Sequence, residues 1–177
     1  MILITTSHRP SQRVRSFAKD LSSVMPYSIR VTRGKKTLED LVIEAYKNGL
    51  SYIAIIGERR GNPSTIEIYK VDSSMMPPSA IRISTLLLSG VRLSRENPES
   101  IRVYNPRSVK VEYDQCVTDE CFTLADILLS ITSKAFSHQP DVKIVLEEGE
   151  YINVEFYSST NHRIGPSLRI VRVILYK

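Results

Sequence analysis

Apolar positions in the first third of the chain alternate between strand-like and helix-like spacing. Residues 1–7, MILITTS, form a short apolar run closed by small hydroxyl side chains, the pattern of a buried strand, and Pro10 suits the first turn of a helix. Val14, Phe17, Ala18, Leu21 and Val24 then recur at helical spacing, which puts them on one face and turns Gln12, Arg13 and Lys19 outward. Pro26 ends that helix, and a second strand is expected over residues 27–32, followed by the turn Arg33-Gly34-Lys35-Lys36. Thr37, with Asp40 three positions on, has the form of a capping box for a second helix, with Leu38, Leu41, Val42 and Ala45 as its buried face and Gly49 as its end. Residues 51–56 read as a central parallel strand and residues 65–71 as a strand wetted on one side. Gly57, Gly61, Asn62 and Pro63 supply the turn between them.

Residues 80–87 are β-prone, after a loop over 75–78, and the polar, turn-rich stretch 89–106 reads as a connection. A second unit follows: a strand over 108–113, a helix over about 119–136, a hairpin of residues 142–146 and 151–156 across Glu147-Glu148-Gly149-Glu150, and a last strand over 169–176. The expected fold class is therefore α/β, as two α/β halves (1–88 and 107–177) within one domain spanning 1–177. The chain has the length for one good core or two small ones sharing an interface. PSQR at 10–13 and PSLR at 166–169 are too short to establish a repeat.

Charge changes the picture through its distribution. The net charge of +5 is modest, but residues 1–63 hold eleven Lys or Arg against five Asp or Glu, and residues 64–160 hold nine against fourteen. The stretch 161–177 adds four cations and no carboxylate, so basic ends flank an acidic middle. The cations gather after successive strands, which predicts a polyanionic partner bound through phosphates. The competing reading has these clusters simply solvated or paired with the acidic middle. No apolar run reaches the roughly 20 residues that span a bilayer, and the N-terminus lacks the pattern of a secretory signal, so a cytoplasmic protein is expected. With no Trp and four Phe, stacking platforms are disfavoured, although nine Tyr supply some rings. Cys116 and Cys121 are too few for a zinc site and are expected as free thiols.

The chemistry of catalysis is missing from the sequence. Neither GxxxxGK nor GxGxxG occurs, no Ser sits in a GxSxG elbow, and His8, His138 and His162 lie in no metal-binding spacing. Glu58, inside the cationic turn, lacks a partner acid and is expected to bond a neighbouring Arg or a backbone amide and shape the loop. No enzyme, no cofactor, no metal and no small-molecule substrate are expected.

The opening block ITTSHRPSQRVRSFAKDL (4–21), the segment RVTRGKKTLEDL (30–41), the turn GERRGNP (57–63) and the closing IGPSLRIVRV (164–173) together resemble the Brix-domain family over nearly the whole chain. The short length is similar to the single-domain archaeal members, of the small-subunit processing branch. The resemblance implies a ribosome-biogenesis factor without enzymatic activity that binds ribosomal RNA or its precursor during rRNA processing and subunit assembly. It further implies two halves each similar to the anticodon-binding domain of class II aminoacyl-tRNA synthetases. Where this chain has His8 and Ser167, the family pattern usually has Arg, so the charge at both places is lighter. Resemblance and charge together select Arg9, Arg13, Arg33, Lys35, Arg59, Arg60, Arg163 and Arg169 as RNA contacts. The alternative is a protein-interaction module that docks ribosomal or assembly proteins in a preribosome without touching RNA.

Overall fold

In the computed structural model, which describes residues 1–176, the opening apolar run is β1 (Ile2–Thr6), buried at every position. α1 (Gln12–Val24) is capped by Ser11, whose hydroxyl accepts from Val14 N at 3.3 Å, so Pro10 lies just before the cap rather than in the first turn. β2 (Ile29–Arg30) is much shorter than the 27–32 strand expected, because Tyr27 takes a left-handed φ of 52° and spoils the extended run. α2 (Leu38–Lys47) has the expected reciprocal cap between Thr37 and Asp40. β3 (Tyr52–Arg59) and β4 (Asn62–Asp72) are joined by Arg60-Gly61 alone, both with positive φ (51° and 80°), the geometry that matches the twist of a tight hairpin. Pro63 therefore lies inside β4 and not in the turn, opposite Glu58 where the register shifts.

β5 (Ser79–Arg92) takes in the first four residues of the stretch expected as connection, and a single 3-10 turn follows at Ser94–Glu96. Then come β6 (Val109–Gln115), α3 (Asp119–Thr132), β7 (Val142–Glu148), β8 (Ile152–Ser158) and β9 (Arg163–Leu175). The nine strands form one mixed sheet in the order β2-β1-β3-β4-β5-β9-β8-β7-β6. β2, β1 and β3 are parallel, as are β6 and β7, and all other neighbours are antiparallel. α1 and α3 cover one face, where Phe17, Leu21, Leu124 and Ile127 join a continuous core with Ile56, Ile68, Ile144, Phe156 and Ile170. α2 covers the β1–β3 end of the other face through Leu41, Val42 and Ala45 against Leu3, Ile53 and Ile55. Among the described residues, no helix is long and apolar enough to cross a membrane.

β5 runs past its last β4 partner, Leu87, and β9 runs past its last β8 partner, Ile170. In each overhang the backbone is met by the second residue of a helix: Arg13 Nη2 donates to Val91 O at 2.9 Å, and Glu120 Oε1 accepts from Val173 N at 2.6 Å. Gly165 and Pro166 fall where β9 bulges, between the pairs Val154–Leu168 and Phe156–Ile164. The closing motif is thus the interior of a strand. The expectation of free thiols is overturned: Cys116 and Cys121 are disulfide-bonded, their Cα atoms 5.4 Å apart, because the loop leaving β6 folds back over the first turn of α3. The nearby Glu148 carboxylate is engaged in capping that turn, accepting from Thr118 N at 2.9 Å.

Candidate nucleic-acid interface

Because β1, β2 and β3 are parallel, the loops leaving them emerge at one end of the sheet. The segments after β1 and β2, with the start of α1, enclose a cleft of ≈ 700 Å³ whose lining includes His8, Arg9, Arg15, Arg30, Arg33 and Lys35, and no carboxylate is among the lining residues. Arg9 has a φ of 51°, which turns the chain sharply between β1 and the helix cap. His8 spans the mouth. Its Nδ1 lies 3.0 Å from Gly34 O and its Nε2 lies 3.5 Å from Arg33 Nη2, so the proton belongs on Nδ1 and the ring lone pair faces the guanidinium. Arg33 Nε and Nη1 are buried without a partner among the described residues, leaving donors of a permanent cation unused. Asp40, on the neighbouring first turn of α2, is held below the usual carboxylate range first by hydrogen bonds from Thr37 and then by the charges of Lys36 and Arg33.

The β3–β4 hairpin is tied to the start of α1. Ser11 N donates to Glu58 Oε2 at 2.6 Å and Ser11 Oγ donates to Gly61 O at 2.8 Å. Glu58 thus bonds a backbone amide and shapes the loop, as its setting in the sequence suggested. The clamp brings exposed Arg59 and Arg60 alongside the loop that carries Arg9. Arg9, Arg33, Lys35, Arg59 and Arg60 consequently share one end of the molecule. Arg15 and Arg30 also line the cleft, although neither was among the selected contacts; both lie inside the blocks that carry the family resemblance, and their place at the helix start and strand end was the available signal.

Three of the selected residues lie elsewhere. Arg13 makes a bidentate pair with Glu96, each partner's charged form being favoured chiefly by that mutual hydrogen bond. Arg163 and Arg169 are on β9, on the sheet face away from α1 and α3. Arg163 lies 3.6 Å from Glu155 and 5.9 Å from the centre of the Tyr157 ring, while Arg169 is exposed opposite Asn153. Burial pushes Glu155 above the usual carboxylate range, with Arg163 acting in the opposite sense.

A crystal structure of a probable ribosomal biogenesis protein from Aeropyrum pernix matches this fold with a TM-score of 0.82, covering 96% of this chain and 94% of that one at 32% sequence identity. A probable Brix domain-containing ribosomal biogenesis protein of Thermococcus kodakarensis is 48% identical over 96 residues, and an Aeropyrum pernix relative of the same description is 45% identical over 93. The chain belongs to the Brix-domain family. The Brix relatives from Thermococcus and Aeropyrum match over 54% and 52% of this chain, which spans about half the length of these curated relatives, 44% and 50% respectively. The archaeal Imp4-like protein Mil has a similar fold, with a TM-score of 0.68 over 98% of this chain and 99% of its own at 23% identity. No family model matches the chain. The named Brix homologues are ribosomal biogenesis proteins, and no catalytic family is indicated.

Proposed function

We propose that this chain acts in ribosome biogenesis by binding ribosomal RNA or its precursor, on a preribosomal particle in the cytoplasm. The strand-end cleft and the Arg59-Arg60 hairpin are the contact surface. The observation that carries this reading is the gathering of five Lys or Arg side chains and His8 around one cleft without a lining carboxylate. Such a surface attracts polyanions over a distance and gains affinity by releasing their counterions, with little dependence on base identity. Arg163 and Arg169 form a second, weaker contact, because Glu155 offsets part of their charge. Filter binding across a salt series tests the reading. Affinity should fall steeply with salt, and replacing Arg59 and Arg60 together by Ala should weaken all RNA sequences alike and lower the slope by about two. Binding that is indifferent to salt, or a double variant with the parental slope, overturns it.

We also infer that residues 1–88 and 107–177, connected by 89–106, are duplicates of one unit similar to the anticodon-binding domain of class II aminoacyl-tRNA synthetases. Topology supports this. The sets β1-β3-β4-β5 and β6-β7-β8-β9 repeat the same parallel, antiparallel, antiparallel pairing and meet through β5 and β9. The first set carries β2 and α2 as an insertion.

A further inference from the structure

A second cationic hollow, of ≈ 950 Å³, lies where the segment after β5 crosses the C-terminal half of α1. Lys19, Arg95, Arg102 and Arg107 line it, against the single carboxylate of Asp20. Asp20 is already committed: it accepts from Ser94 N at 2.8 Å, and burial is the chief cause of its raised pKa. Arg95 reaches only the hydroxyl of Ser16, at 3.3 Å, and none of the ion pairs among the described residues involves the four cations of this hollow.

Two aromatic rings stand among these charges. Tyr104 is 80% exposed and Tyr27 51% exposed, and neither packs on another aromatic ring among the described residues. Both are presented by sharp turns, Tyr27 by its own positive φ and Tyr104 by Asn105, with a φ of 47°, ahead of Pro106. A phenol ring this exposed contributes little to the core and leaves ring surface available for stacking. Arginines two residues before and three residues after Tyr104 complete the pairing of ring and cation that single-stranded nucleic acid uses.

We propose that this hollow binds a single-stranded RNA segment, its phosphates held by Arg95, Arg102 and Arg107 and a base stacked on Tyr104, with Tyr27 as a second platform. The proposal rests on the RNA-binding reading above and adds a site of different chemistry, since the strand-end cleft offers charge without exposed rings. An acidic peptide would satisfy the arginines but leave both rings unused; stacking is what selects nucleic acid here.

Titrating the whole chain against a short single-stranded oligoribonucleotide carrying one 2-aminopurine, and in parallel against an RNA duplex of equal length, separates the two sites. Tyr104→Ala should weaken single-strand binding about 5- to 100-fold and abolish the stacking change in fluorescence, while duplex affinity stays at the parental value. Tyr104→Phe should preserve both, and Arg59→Ala with Arg60→Ala should weaken the duplex. Should Tyr104→Ala lose its circular dichroism spectrum, the pair Arg102→Ala and Arg107→Ala takes its place, with single-strand affinity and salt slope expected to drop. Parental single-strand binding and fluorescence in these variants, with duplex binding intact, overturns the hollow and leaves the RNA reading standing. A wild-type chain that binds neither RNA removes both.

Discussion

Arg9 and Arg13 lie four positions apart and meet opposite fates. Arg9 faces an open cleft, whereas the guanidinium of Arg13 is divided between Glu96 and the carbonyl of Val91. We therefore expect Arg13→Ala to cost about 1–2 kcal/mol of stability, from a lost charged hydrogen bond only partly discounted for exposure, and to leave RNA affinity unchanged. Urea unfolding and the binding assay together check this; unchanged stability with weakened binding would reverse the assignment. The pair also predicts a pH dependence. Glu96 has a folded pKa below its ordinary value, so its contribution is present above the usual carboxylate range and is lost as pH falls through the folded value. That loss in acid should be smaller in Arg13→Ala than in the parent, since Glu96 keeps the Leu93 amide and the charge of Arg95. The sequence shows that Arg13 is basic and points off the apolar face of its helix. It cannot show a neutralising carboxylate 83 positions away.

At the scale of elements, the periodic reading located every strand and helix core but misjudged ends, for reasons visible at particular residues. Gly165-Pro166 has the composition of a turn, yet it lies inside β9 because a bulge there absorbs extra residues under α1. A Cβ on Gly165 would come within 2.5 Å of Val24 Cγ1, and the residue has a φ of 60°. Gly165→Ala should therefore cost about 2 kcal/mol or more, part from backbone strain and part from the contact. Adding Val24→Ala should recover the contact part only, so the two changes should couple in a double-mutant cycle; strictly additive unfolding energies would refute the close approach. The same glycine gives the closing motif a packing role beside any part it plays with RNA. β5 was likewise extended to Arg92 by pairing with Ser167, a distant partner that local pattern does not reveal.

For the whole molecule, element sequence was readable and strand order was not, since the central β5–β9 seam joins residues such as Ser84 and Leu175. The charge segregation of the N-terminal third survives folding at the strand-end cleft. On β9 the basic C-terminal stretch lies beside the acidic middle, through Arg163 and Glu155. One core runs under both halves, with Phe17 and Ile144 in the same cluster, so neither residues 1–106 nor 107–177 should fold alone. Each fragment should lack a cooperative melt, and co-expression should restore one; a cooperative transition in residues 107–177 by themselves would show the halves to be independent. The contacts of Arg13 with Val91 and of Glu120 with Val173 act at this scale too. A strand protruding beyond its neighbour is a template on which a second copy of the chain can build. With a helix side chain seated on the backbone of each protrusion, assembly stops within the molecule, and the protein is protected against polymerising through its own longest strands.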